Sequence, residues 1–113
     1  MRRYDAQLTQ EVLRPAHLRP DMISDCHLYL ARLPGKTHET RSAVITRMAE
    51  RGVACNVHYK PLPLLTAYKN LGFRMEDYPN AYAQFENEIT LPLHTLLSDE
   101  DIDYVCACLK ECL

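Results

Sequence analysis

The chain has 113 residues, 47% of them hydrophobic and 25% charged, with a formal net charge of −2, enough to bury one core but not two. No basic stripe gives the electrostatic footprint of a nucleic-acid binder, and no apolar run reaches the roughly 20 residues that span a membrane. Met1-Arg2-Arg3-Tyr4-Asp5 leads into no apolar stretch and is not a secretory leader. The five cysteines, odd in number and not spaced as in a small secreted scaffold, suit reduced thiols in a cytoplasmic protein.

In chain order, residues 2–14 read as a helix, with Tyr4, Leu8 and Val12 four apart on one narrow stripe and Pro15 as the stop. The helix starts almost at Met1 without a cap, which is compatible with a chain cut inside a longer helix, although an uncapped first turn is also common at termini. Its apolar stripe is expected to take part in a contact between chains. After Pro15 and Pro20, residues 26–33 alternate as a strand, with Cys26, Leu28 and Leu30 on one face and His27, Tyr29 and Ala31 on the other. Pro34 and Gly35 turn the chain.

A second helix over 40–51 carries Val44, Ile45, Met48 and Ala49 inward, with Gly52 just past its end. Residues 53–59 alternate as a strand, Val53, Cys55 and Val57 against Ala54, Asn56 and His58. Pro61 and Pro63 forbid its continuation as a central strand. Residues 64–71 suit a short helix closed by Gly72, and Pro79 opens another, with Tyr78, Tyr82 and Phe85 on one face. Residues 88–93 form a strand that buries Ile89, Leu91 and Leu93 and exposes Thr90. Ser98 caps the last helix ahead of Asp99, Glu100 and Asp101, with Leu97 and Ile102 as a hydrophobic staple. Its buried stripe is Ile102, Val105, Cys106, Leu109 and Leu113. The order predicts an α+β fold: a small, mostly antiparallel sheet from 26–33, 53–57 and 88–93, covered by helices on one main face.

Cys106, Cys108 and Cys112 invite a metal reading that helix geometry opposes. Residues two apart are turned by about 200°, so Cys106 and Cys108 point to opposite sides, and only Cys108 and Cys112 share a face. That leaves too few thiolates for a closed zinc site, and Cys106 reads as a small core residue. His17, His27, His38, His58 and His94 are scattered without a paired-ligand spacing. A Cys–His nucleophilic pair has no local mark, and Gly35, Gly52 and Gly72 make no phosphate-cradling loop.

The informative segment is Val57-His58-Tyr59-Lys60-Pro61-Leu62-Pro63. A strand ends in two ring side chains and passes directly into a proline-stiffened loop. On one reading Tyr59 packs on the core and His58 caps the sheet edge; on the other, polar groups on a rigid strand end face a cleft and position a substrate.

This segment, extended to residues 52–62, resembles the "G-I-x-x-x-V-H-Y-x-P-L" stretch of the DegT/DnrJ/EryC1/StrS aminotransferases. Tyr78-Pro79-Asn80-Ala81 is similar to their "P-x-A" helix start. Residues 89–94 with Leu97-Ser98-Asp99-Glu100-Asp101 and Val105 resemble their "x-S-L-P-L-x-P-x-L-T-x-E-D-x-x-x-V" ending. Cys26-His27-Leu28-Tyr29, Arg41 and the helix to Gly52 are similar to the "H-L-Y … R … L-x-x-x-G-I" stretch. The resemblance runs nearly the whole length in order, departing where the family often has histidine (here Pro63) and serine (here Thr90).

The resemblance implies the small C-terminal domain of a fold-type-I, PLP-dependent enzyme that transfers an amino group, usually from glutamate, to a nucleotide-linked keto-sugar. It implies a homodimer with the cofactor held in a large N-terminal domain outside this chain. PLP chemistry needs a Schiff-base lysine and an acidic partner for the ring nitrogen; Lys36, Lys60, Lys69 and Lys110 sit in no such motif. The resemblance thus gives residues 1–113 no cofactor site or complete active site, and makes His58 and Tyr59 the substrate-binding residues. The alternatives are a non-catalytic binding module that keeps the small-domain fold and, more remotely, a small enzyme with a cysteine nucleophile.

Overall fold

A computed structural model describes residues 1–15 and 18–113; His17 of the histidine set lies outside the described residues. The elements are α1 (Arg2–Gln7), β1 (Leu18–Arg19), β2 (Met22–Ile23), β3 (Tyr29–Arg32), α2 (His38–Glu50), α3 (Thr66–Asn70), α4 (Pro79–Glu86), β4 (Glu88–Leu91) and α5 (Asp99–Cys112), with short 3-10 turns at Leu62–Leu64 and Met75–Asp77. β3 and β4 pair antiparallel, Tyr29 opposite Leu91 and Arg32 opposite Glu88, while β1 and β2 make a separate two-stranded ribbon. The architecture is α+β, as the sequence predicts. Among the described residues no helix is long and apolar enough to cross a membrane.

Helix ends follow local chemistry. Thr37 caps α2: its hydroxyl accepts from the Thr40 N–H, and the Thr40 hydroxyl accepts from the Thr37 N–H at 2.8 Å. That cap starts α2 two residues before the predicted Thr40. Ser98 and Asp101 make the same reciprocal pair at the start of α5, at 3.1 and 2.9 Å. The Ser98 N–H and hydroxyl, each donating to it at 2.9 Å, hold the Asp101 carboxyl below its usual range. Past α2 the chain leaves the helix through Gly52 at φ +77°, a left-handed conformation that costs other residues a steric clash.

One core joins Tyr4, Leu8 and Val12 to Tyr29, Ala31 and Leu33, to Val44 and Met48, to Ile89 and Leu91, and to the inner side of α5. Here the structure corrects the N-terminal reading twice. The helix ends at Gln7 rather than 14, because the following segment becomes extended and joins the β3 edge: the Leu13 N–H donates to the Arg32 carbonyl at 2.8 Å and the Arg32 N–H returns to Leu13 at 2.7 Å. The apolar stripe is also not an inter-chain surface. It is buried within its own chain, where α1 packs on α5. Arg3 fastens the same pair of helices through Asp103 at 2.5 Å.

Other expectations are overturned by packing. The strand predicted over 53–59 shrinks to a single bridge, Asn56 with Thr90. Beyond it the backbone donors go to side chains, Val57 N–H to the Asn56 amide oxygen and His58 N–H to the Glu88 carboxylate, so no ladder propagates. The strand over 26–33 starts only at Tyr29, since Cys26 adopts φ 59°. Thr90 is buried, not exposed. α5 lies against both α1 and α2, so more than the one predicted stripe is covered: Cys106, Cys108 and Cys112 are all buried, while Leu113 beyond the helix end is exposed. On α4 only Phe85 is buried, and Tyr78 and Tyr82 remain partly open; Ala49 of α2 faces out.

Candidate functional site

The second face of β4 organises the site. Strand alternation sends Ile89 and Leu91 into the apolar core and Glu88 and Thr90 to the other side, yet those two are only 1% and 5% exposed. They are covered by the segment carrying His58, which the Asn56–Thr90 bridge holds there with N–H···O bonds of 3.1 and 2.8 Å.

Glu88 is the centre of the contacts. One carboxylate oxygen accepts from the His58 backbone N–H at 3.0 Å, and the other accepts from the Thr90 hydroxyl at 2.6 Å. The His58 ring meets that same hydroxyl through Nδ1 at 2.8 Å. Arg41 of α2 is 4% exposed, donates to the Phe85 carbonyl at 3.2 Å and lays its guanidinium 5.1 Å from the Phe85 ring centre. Among the described residues its buried Nε has no hydrogen-bond partner. Burial pushes the Glu88 carboxyl above its ordinary value, against the opposing pull of the Thr90 and His58 donors and the His58 and Arg41 charges. Burial likewise lowers Arg41, and the Glu88 charge opposes it.

The two sequence-predicted site residues are placed differently. His58 is half-buried, anchored from below by Thr90 and Glu88. Tyr59 is 73% exposed and stands edge-on to the His58 ring with centroids 4.6 Å apart. The reading in which Tyr59 packs on the core is therefore ruled out. Glu88 and Arg41 had no place among the predicted site residues. The available signal was an acidic residue two positions before Thr90, on the same face of an otherwise apolar strand.

Neighbouring groups narrow the chemistry. Lys60 and Lys69 line an open cavity of about 520 Å³ together with His38, Tyr82, Phe85 and Glu86. Lys36 donates to the Leu113 carbonyl at 2.5 Å and Lys110 pairs with Glu11 at 3.5 Å. None of the four lysines is buried. A Schiff-base lysine has to be enclosed with its cofactor and an acidic partner, so these residues do not fit a PLP site. Among the described residues no group of three or more histidines, cysteines or acids is placed to hold a metal. Burial pushes the Cys55 thiol up to about 12 and the Cys106 thiol to about 11, the opposite of what a nucleophilic cysteine needs.

A family model for the DegT/DnrJ/EryC1/StrS aminotransferases matches residues 1–110. Among solved structures, a candidate sugar aminotransferase of Streptococcus pneumoniae, Spr1654 in its PMP-form, superposes with a TM-score of 0.95 at 53% identity, over 98% of this chain and 28% of that one. The aminotransferase TlmJ of Streptoalloteichus hindustanus superposes with a TM-score of 0.82 at 30% identity, over 98% of this chain and 29% of its own. The spore coat polysaccharide biosynthesis protein SpsC of Bacillus subtilis is 32% identical over 88 residues, 75% of this chain and 23% of SpsC. The chain thus spans under a third of the length of these relatives.

Proposed function

The chain belongs to the DegT/DnrJ/EryC1/StrS aminotransferase family, and from that premise we propose that it is the small C-terminal domain of a PLP-dependent sugar aminotransferase. Its substrate is a nucleotide-linked keto-sugar, and its setting is the cytoplasmic assembly of a cell-surface polysaccharide or a related sugar. The observation that carries this reading is near-complete superposition, at 53% identity, on little more than a quarter of a candidate sugar aminotransferase.

In this reading the large domain holds PLP, which supplies the electron sink for amino transfer. The present chain contributes the wall that covers the sugar. His58 and Tyr59 are its substrate contacts, displayed by a segment that Glu88 and Thr90 anchor. The working assembly is a homodimer of full-length chains, and the 113-residue chain alone has no complete active site.

Two measurements test the reading. This chain, incubated with PLP and desalted, is expected to keep no visible chromophore; a stoichiometric band would overturn the assignment of the cofactor to another domain. A longer protein carrying the large domain is expected to retain PLP and to move an amino group from glutamate to a nucleotide-linked keto-sugar. Retention of PLP without turnover of any such sugar would refute the substrate class.

A further inference from the structure

We propose that Thr90 and Glu88 are positioning residues that hold the His58 ring as its Nδ1–H tautomer and thereby leave Nε2 as a hydrogen-bond acceptor. The protons along this chain of three groups can be counted. The Thr90 hydroxyl has one proton, and the 2.6 Å contact gives it to a Glu88 carboxylate oxygen. Among the described residues the oxygen of Thr90 is then the only acceptor available to the His58 Nδ1 atom 2.8 Å away, so Nδ1 has to be the donor. A neutral imidazole carries one N–H, and Nε2 is left with its lone pair.

Glu88 acts in this chain of bonds as the ionised carboxylate, the form that its hydrogen-bond donors and the Arg41 charge favour and that burial opposes. Its second oxygen faces the His58 backbone N–H at 3.0 Å, which can only donate, and the Arg41 charge acts on it from α2. Among the described residues Nε2 takes no hydrogen bond of its own, and the ring is half-buried, near-perpendicular to that of the exposed Tyr59. A ring so held meets a ligand that donates: a sugar hydroxyl suits it, whereas a phosphate, which only accepts, does not. The assignment of that ligand to a sugar rests on the proposed function above; the tautomer does not.

The test is a long-range proton–nitrogen NMR correlation on the 113-residue chain with labelled histidine, at roughly pH 8, above the ordinary histidine range. The His58 signals are identified by their loss in His58→Gln. In the unmodified chain His58 is expected to be protonated at Nδ1 and unprotonated at Nε2, and Thr90→Ser should keep that pattern. Glu88→Gln should reverse it. The amide oxygen must stay with the His58 N–H, so the amide NH2 faces Thr90, the hydroxyl turns to Nδ1, and the proton moves to Nε2. Thr90→Val should lose the Nδ1–H preference because no acceptor remains. An Nε2–H ring in the unmodified chain would overturn the proposal, as would an unaltered tautomer in both folded Glu88→Gln and Thr90→Val. Since the tautomer is read without substrate or cofactor, its failure leaves the aminotransferase reading standing, and failure of sugar turnover leaves the tautomer standing.

Discussion

Replacing Tyr4 tests whether the N-terminal segment belongs to this chain's core or to a contact between chains. The side chain is fully buried, its hydroxyl donates to the Pro92 carbonyl at 2.7 Å, and its ring lies 4.6 Å from that of Tyr29. Tyr4→Phe removes only the hydroxyl and is expected to cost about 1 kcal/mol, with part of that from the carbonyl left unpaired. Tyr4→Ala also removes the ring, leaves a cavity beneath α5 and takes the Tyr4 ring contact from Tyr29. Truncation of a buried aromatic costs about 3–5 kcal/mol, of which the ring pairing is about 0.5–1.5 kcal/mol. At roughly 0.05–0.15 kcal/mol per residue the whole chain is stable by roughly 6–17 kcal/mol, so this one change removes a large share. Urea denaturation should show the midpoint falling in the order wild type, Phe, Ala with an unchanged slope. A loss below about 1 kcal/mol for Tyr4→Ala, or a midpoint that rises with protein concentration only when Tyr4 is intact, would refute burial within the chain and restore the inter-chain contact.

Ser98→Ala removes one half of the α5 capping pair and should cost about 1 kcal/mol in the same denaturation assay, with Ser98→Thr restoring most of it. The Asp103 carboxyl is lowered to about 2 by the side-chain bonds from Arg3 and Gln7. A depressed folded-state value means that this group stabilises the fold above the ordinary Asp range and that its contribution is lost as pH falls toward 2. Asp103→Asn should therefore flatten the acid limb of the stability profile, and an unchanged limb would refute the linkage. In a longer enzyme that carries the large domain, His58→Ala should weaken use of the sugar while PLP stays bound. Unchanged kinetics in both His58→Ala and Tyr59→Phe would return these residues to a structural role.

Features whose cause lies within a few residues are legible in the amino-acid sequence alone. The Ser98 cap, the end of α2 at Gly52, Pro79 as a helix start and the Pro34–Gly35 turn each rest on the chemistry of adjacent atoms. The family resemblance placed His58 and Tyr59 side by side for the same reason, since a contiguous motif survives in one dimension. Tertiary structure decided the rest. Alternation alone makes Thr90 an outward residue and says nothing of Glu88, because it cannot know that a segment some 30 residues away in sequence will lie across that face. The strand expected over 53–59 fails on the same account, its donors being taken by Asn56 and Glu88 before a ladder can extend. A helical wheel gives α5 one buried stripe, whereas its wedging between α1 and α2 buries Cys106 and Cys108 alike. Which atoms cover a surface is a property of the packed chain, and burial in turn determines whether a carboxylate such as Glu88 is a solvated charge or the anchor of a site.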